Sequence, residues 1–493
     1  MQYADVFVGG QWKRPSSSAI FDSIDPFSGS LWATFPDCGE PDVDDAVAAA
    51  KRAFENEAAW RNDGFLRSRL LLRLADLLDR EAPHLGAIES RDNGKTVLEN
   101  IGQAKFAARI YRYFAGLADK IDGRVVPLDV PNAFDFTVCE PYGVCALLLA
   151  WNSPLQLLAN KLAPALAAGN TVVIKPSEVA PASVLEFGKL VAEAEFPPGV
   201  VNIITGLGPC VGRRLAEHPD VELVSLTGGV GTGRAIASIA AQAPKKVVLE
   251  LGGKSPNIIF DDADLDLAVK GAAAGIFSAS GQTCIAGSRL LVQEPIIDEV
   301  VDRLTARARA IRLGDPADPA TEMGPLATEP HMERVLGLIR GAVEEGATLA
   351  VGGKRVSRDG LSQGFFVEPT VLTNVLPHMN VACEEVFGPV LSVFSFRTEA
   401  EAIALANQSE FGLASGIWTS NLDRALTVSR AMRAGTVWVN TYRSSSPAAP
   451  FGGFKRSGLG RERGREALYE YLQVKNVMIS LGAATRKAGA SRP

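Results

Sequence analysis

Cys284 stands in the run Ser280-Gly281-Gln282-Thr283-Cys284-Ile285-Ala286-Gly287, just after the largely apolar stretch Leu267 to Phe277. Small, turn-forming residues of this kind expose a thiol at a bend instead of packing it inside an element. A free thiol has a pKa of about 8.5, so a catalytic cysteine needs activation or an acceptor poised beside it. Upstream, Lys246-Val247-Val248-Leu249-Glu250-Leu251-Gly252-Gly253-Lys254 reads as a buried strand that ends on a carboxylate. Open α/β sheets place their ligands at the carboxyl ends of strands, and the adjacent Gly-Gly pair allows close approach of backbone. The chemistry these two stretches suggest is a cysteine nucleophile, Cys284, served by a glutamate base, Glu250. Cys145, inside an apolar strand, reads instead as a small buried hydrophobe.

Three further stretches bear on that chemistry. Trp151-Asn152-Ser153-Pro154 follows a buried strand. An Asn amide there can donate to a developing oxyanion, but Asn is also common at a helix N-terminus, so it decides nothing alone. Gly228-Gly229-Val230-Gly231-Thr232-Gly233 joins a strand to a helix, which suits a pyrophosphate at the helix N-terminus. Its spacing is GxxxxG rather than GxGxxG, and no Lys-Ser/Thr follows, so a P-loop is disfavoured. Lys175 and Glu178 end another strand and fit ribose hydroxyls or a solvated charged turn equally well.

The elements that must position these residues alternate along the chain. Val144 to Ala150, Thr171 to Ile174, Val200 to Ile204, Glu222 to Leu226 and Val247 to Glu250 read as strands. Helices over Pro154 to Ala168, Ala182 to Ala194, Val211 to Glu217 and Thr232 to Ala241 separate them. That alternation predicts an α/β fold with a doubly wound parallel sheet. Before it lie a Gly-Gly hairpin at Val6 to Trp12 and three helices, Pro41 to Trp60, Phe65 to Arg80 and Lys95 to Asp119. Gly123 to Pro141 reads as an extended arm or hairpin, with which Val474 to Ser480 can pair. After Gly253 a second α/β block begins. It has helices at Asp264 to Ser278, Ile296 to Ile311, Glu329 to Glu345 and Thr398 to Asn407, the last opened by a Thr398/Glu401 capping box. Its strands are read at Leu290 to Gln293 and Thr436 to Asn440. The tail from Ala483 reads as disordered.

The 493 residues are 47 % apolar and 22 % charged, with a net charge of −6, as in a water-soluble globular protein of more than one domain or of one core domain with appendages. No basic run supports nucleic-acid or anionic-membrane binding. The N-terminus lacks the features of a signal peptide, and no apolar run is long enough to span a membrane. Six cysteines without a CxxC suggest neither a metal site nor disulfides, and point to a reduced, cytoplasmic setting. All four histidines neighbour prolines, which favours a carboxylate over His as proton carrier.

Taken together, the motifs resemble those of the NAD(P)-dependent aldehyde dehydrogenase superfamily, of the hydrolytic, CoA-independent type. They include Trp151-Asn152-Ser153-Pro154, Lys175-Pro176-Ser177-Glu178, Glu250-Leu251-Gly252-Gly253-Lys254, Gly281-Gln282-Thr283-Cys284, Glu384-Glu385-Val386-Phe387-Gly388-Pro389 and Pro450-Phe451-Gly452-Gly453-Phe454-Lys455. The resemblance runs from about Phe7 to Ser480. It implies a Rossmann-like cofactor domain (1–121 and 142–252) and a catalytic domain (253–456). It also implies a β oligomerisation arm (122–141 and 472–482), a return segment (457–471), and a homodimer or homotetramer.

In roles, it implies that Cys284 attacks an aldehyde, that Asn152 holds the oxyanion and that Glu250 activates water. Lys161 and Glu462 would assist proton relay. NAD, in preference to NADP, would lie against Trp151, Lys175, Ser177, Glu178, Gly208, Thr227, Gly228, Gly229, Gly233, Leu251, Glu385 and Phe387. Glu178 underlies that preference, because a carboxylate repels a 2′-phosphate. The substrate would meet Ser153, Leu157, Asn160, Thr283, Ile285, Arg443, Ser445 and Phe451.

The chain departs from the family pattern in two ways. Gly229 stands where the family often has Ser. Ser153, Asn160 and Ser445 replace residues that are often aromatic, with Arg443 nearby. Such a pocket suits a small polar or anionic aldehyde, or a lactol, and lacks an aromatic box for betaine aldehyde. A CoA-acylating semialdehyde dehydrogenase, a cofactor-independent thiol hydrolase and a non-catalytic homologue are the alternatives. The paired Cys284 and Glu250 and the glycine turn weigh against them.

Overall fold

The computed structural model describes residues 1–357 and 360–481; the tail from Ala483 lies outside the described residues. Five parallel strands form the centre of an eight-stranded sheet, in the spatial order Val201–Ile203, Thr171–Lys175, Val144–Leu148, Leu223–Thr227, Lys246–Glu250. These are the five strands read from the sequence. Each of the first four is buried along its whole length, as expected for strands covered by helices on both faces. The order reverses beside Val144–Leu148, so a crevice opens between its carboxyl end and that of Leu223–Thr227. Val6–Val8 pairs antiparallel with Val201–Ile203 and carries the edge strand Gln11–Lys13, and Gly458–Leu459 closes the other edge against Lys246–Glu250.

The second sheet has seven strands: Thr348–Val351, Thr370–Thr373, Val390–Phe396, Arg289–Gln293, Pro256–Ile259, Ala414–Trp418 and Thr436–Val439. All pairs are parallel except the first. Only Leu290 to Gln293 and Thr436 to Asn440 are anticipated by the sequence reading. Pro256–Ile259 and Ala414–Trp418 are fully buried runs, and so lack the alternation that marks a half-exposed strand.

The second N-terminal helix, expected to stop at Arg80, continues through Pro83 to Asn93 and ends at Gly94, φ 76°. An unforeseen hairpin, Ile20–Asp25 with Ser30–Pro36, packs beside it. The arm is one long strand rather than a hairpin. Ala133–Pro141 pairs antiparallel with Leu472–Ser480 over nine residue pairs, while Val125 makes only an isolated bridge to Phe136. Among the described residues, no helix is long and apolar enough to cross a membrane.

Arg67 ties the N-terminal helices to the helix Pro154–Ala168 that covers the first sheet. It is buried, and its guanidinium donates to the carbonyls of Ala167, Trp60, Arg61 and Ala118 at 2.7–3.3 Å. Arg67→Leu strands those acceptors, at a cost of about 1–3 kcal/mol for each one left dry. The apparent Tm in a thermal melt is expected to fall by roughly 5 °C or more.

Candidate active site

The helix Leu265–Phe277, N-capped by Asp264 through Leu267 N–H, delivers the chain to the cysteine loop. There Ala279 and Ser280 both have φ 54° and Gly281 has φ 73°, a left-handed turn that non-glycine residues adopt at a cost. Four contacts hold it. Ala279 N–H donates to Glu99 Oε1 at 2.8 Å, and Ser280 Oγ to the Gly324 carbonyl at 2.7 Å. Ala327 N–H donates to Gln282 Oε1 at 2.9 Å, and Asn152 Nδ2 to the Gln282 carbonyl at 3.0 Å. Two glycines permit the close packing. A Cβ on Gly281 would lie 2.0 Å from the Gly388 carbonyl oxygen, and one on Gly253 would lie 2.2 Å from that of Cys284.

Cys284, half-buried, is a wall between two cavities. One, of about 200 Å³, is lined by Trp151, Asn152, Leu157, Thr227, Gly228, Gly229, Leu251, Glu385 and Phe387. The adjoining cleft, of about 870 Å³, shares Trp151, Thr227, Gly228 and Gly229 and extends to Lys175, Ser177, Glu178 and Gly208. This cleft is the crevice at the strand-order reversal. The other cavity, of about 360 Å³, is lined by Asn152, Ser153, Leu157, Asn160, Thr283, Ile285, Arg443, Ser445 and Phe451. Thus every residue named from sequence for the cofactor, except Gly233, lines the first two spaces. Every one named for the substrate lines the third. Gly233 lies inside the helix Val230–Ala241, where a Cβ would come within 2.5 Å of Leu251 Cδ2. Its part is to bring helix and strand together.

Glu250, Lys161 and Glu462 sit behind these walls. Glu250 is 3 % exposed, and neither carboxyl oxygen has a hydrogen-bond partner among the described residues. Burial, and then the charge of Glu462, hold its pKa well above the usual carboxylate range, against the pull of Lys161, Arg461 and Arg463. Lys161 Nζ pairs with Glu462 Oε1 at 2.5 Å and donates to Ser225 Oγ at 3.2 Å. Asn160 Nδ2 donates to Glu462 Oε2 at 2.9 Å. Burial, with the charges of Glu385, Glu250 and Glu462, pushes the Cys284 thiol up to about 12. Glu385 is likewise raised to about 7, chiefly by burial, while Gly253 N–H donates to its Oε1 at 2.9 Å.

Several residues at the site are not foreseen from sequence. His331 forms an aromatic trio with Trp151 and Phe387, with ring centroids 5.3–6.1 Å apart, and its Nε2 bonds the Phe387 carbonyl at 2.8 Å. Lys95, 1 % exposed, donates to Ser153 Oγ at 3.2 Å and to Gln103 Oε1, and burial lowers it to about 8. Gln103, Phe106, Trp438 and Arg463 also line the third cavity. The Pro-flanked His331 looks like loop, and Lys95 and Arg463 belong to no motif singled out from the sequence; only long-range folding brings them here.

Cys284 thus stands between the crevice at the strand-order reversal and a second, partly open cavity. The profile of the aldehyde dehydrogenase family matches residues 12–477. The chain belongs to the aldehyde dehydrogenase family. It is 47 % identical over 483 residues to a (Z)-2-((N-methylformamido)methylene)-5-hydroxybutyrolactone dehydrogenase of Acinetobacter baylyi, covering 98 % of both chains. It is 44 % identical to human retinal dehydrogenase 2, covering 98 % of this chain and 92 % of that one. A crystal structure of Staphylococcus aureus betaine aldehyde dehydrogenase in complex with NAD+ superposes with a TM-score of 0.96 at 39 % identity, covering 99 % of this chain and 97 % of that one.

The raised thiol makes a direct expectation. Thiolate is the reacting form, so the rate of Cys284 alkylation by iodoacetamide, without cofactor, should rise about tenfold per pH unit from pH 7 to 10 with no plateau. A plateau near pH 8.5 contradicts that environment. Gly253→Ala, which presses on the Cys284 carbonyl, should lower kcat roughly 100-fold, read in the steady-state aldehyde assay.

Proposed function

We propose that this enzyme oxidises a small polar or anionic aldehyde, or a lactol, to the carboxylic acid with NAD. The observation that carries this reading is Cys284 and Asn152 standing in both walls, between the crevice and the cavity lined by Arg443 and Arg463. Cys284 Sγ attacks the aldehyde carbon, and the oxygen gains negative charge between Asn152 Nδ2 and the Cys284 N–H as donors. Asn152 is already held at the cysteine loop through the Gln282 carbonyl.

The crevice residues fit a dinucleotide. Thr227 Oγ1 is buried without a partner. No atom lies within 4 Å of where a Gly229 Cβ would be, and Gly229 opens the helix Val230–Ala241 with no side-chain cap, which leaves its N–H groups for a pyrophosphate. Lys175 and Glu178 would hold the adenosine ribose, with Glu178 disfavouring a 2′-phosphate, and Glu385 would hold the other ribose. A nicotinamide bound beside Phe387 supplies the acceptor for the hydride that the thiohemiacetal carbon gives up.

The resulting thioester on Cys284 is hydrolysed. Glu250 takes a proton from the attacking water, and the acid leaves as the thiol is restored. No hydrogen bond pins the Glu250 carboxyl, so turning it toward the thioester breaks none. Lys161 and Glu462 lie beside it as a path for that proton. A retained water base favours hydrolysis over acyl transfer to CoA.

The Acinetobacter relative's name supports the lactol option. A 5-hydroxybutyrolactone opens to an oxo carboxylic acid when its C5–O bond breaks and the hydroxyl proton moves to the released oxygen. The exposed arm, with Phe134, Val474, Met478 and Ile479 at its surface, supports assembly as a homodimer or homotetramer. Six unpaired cysteines support a cytoplasmic location.

An aldehyde panel with NAD, followed by absorbance of the reduced cofactor, tests the reading, with Cys284→Ala expected to be inert. Glu250→Gln should retain a single-turnover burst while steady-state turnover falls at least ~100-fold. In the wild type, hydrolysis should accelerate as pH rises beyond the usual carboxylate range, because the raised carboxyl must lose its proton to act as base. That acceleration should vanish in Glu250→Gln.

A further inference from the structure

The cavity of about 360 Å³ is lined by two arginines, Arg443 and Arg463, and by no carboxylate. Arg463 is 6 % exposed and held in a left-handed backbone conformation, φ 59°. Its guanidinium carbon lies 5.2 Å from the centroid of the Phe106 ring and 4.9 Å from that of Phe451. Nε donates to Asn160 Oδ1 at 3.0 Å, and Nη1 donates to Ser445 Oγ. Among the described residues, Nη2 has no hydrogen-bond partner and the guanidinium makes no ion pair. Glu462 and Glu250 act on it only through their charge, because Glu462 is hydrogen-bonded by Lys161 and Asn160 and Glu250 makes no hydrogen bond.

A guanidinium withdrawn from water without a directly paired carboxylate is costly, and two aromatic faces offset only part of that cost. Its planar fork matches a carboxylate. Arg443, the cation that the sequence points to, is differently engaged. Its nitrogens reach the Ala274 and Ser278 carbonyls and Thr283 Oγ1 at 3.4–3.5 Å, which ties it to the cysteine loop.

We infer that Arg463 is the specificity-determining residue, binding the carboxylate of a short oxo acid whose aldehyde carbon meets Cys284. Phe106 and Phe451 hold the guanidinium by its faces, and Asn160 and Ser445 hold two of its nitrogens, so the free edge is fixed before the substrate arrives. Cys284 and Arg463 line one small cavity, which limits the spacer between aldehyde and carboxylate to a few carbons. Arg443 adds positive charge to the same space. This inference rests on the aldehyde oxidation proposed above.

The test compares wild type, Arg463→Leu and Arg463→Lys with NAD and two aldehydes of similar size, anionic 4-oxobutanoate and neutral hexanal. It also measures the thermal shift given by succinate, a dicarboxylate that cannot react. In Arg463→Leu the ratio of kcat/KM for 4-oxobutanoate over hexanal is expected to fall at least ~30-fold, mainly through KM, as for loss of a charge-assisted bidentate contact. Arg463→Lys should fall between the two. Succinate should raise the Tm of the wild type and not that of Arg463→Leu. Equal losses on both aldehydes, or succinate protection that survives Arg463→Leu, would overturn the assignment. If the wild type reduces NAD with no aldehyde, the oxidation reading fails instead, and succinate protection still decides for or against the arginine.

Discussion

Three successive residues with positive φ, Ala279, Ser280 and Gly281, turn the chain out of a buried helix and set a cysteine on the seam between two sheets. Left-handed conformation costs an alanine or serine about 1–2 kcal/mol each. The anchoring bonds to Glu99, Gly324 and Ala327 each return about 1 kcal/mol. Those anchors come from different parts of the chain, and Asn152, from the other sheet, adds a fourth. The bend therefore exists only in the folded protein, and the thiol's position reports on the packing of both halves.

Burial dominates the charges around that bend. Cys284, Glu250 and Glu385 are all pushed toward their neutral forms, and so is Lys95 behind Ser153. A site of this kind holds few free charges at rest, and desolvation strengthens whatever electrostatic contact a ligand brings. Arg463 and Arg443 stand apart, because guanidinium stays protonated even when burial lowers its pKa. They give the cavity they line a lasting positive sign.

The parallel sheet of the cofactor side was legible because each strand is a continuous apolar run bounded by turn residues, with helices of clear period between. Val144–Leu148 followed by Trp151-Asn152-Ser153-Pro154 is the plainest case. The second sheet was harder to read. Pro256–Ile259 and Ala414–Trp418 are short, fully buried and far apart in sequence, so neither alternation nor a hairpin turn marks them. The cavity walls divided in the same way. Residues within motifs, such as Asn152 and Glu385, could be named from their neighbours. Arg463, Lys95 and His331 are charged or loop-like in sequence, and only the fold turns them inward.

The pairing of Gly458–Leu459 with Lys246–Glu250 has a consequence for how the protein is made. The strand that ends on Glu250 keeps an open edge until chain from more than 200 residues downstream lies against it. Phe451, Glu462 and Arg463 arrive with that same late segment, and Leu472–Ser480 then pairs with Ala133–Pro141. Contacts this distant in sequence close slowly. A nascent chain that has reached only Glu250 therefore holds a nearly finished first sheet while Phe451, Glu462 and Arg463 are still missing from the site.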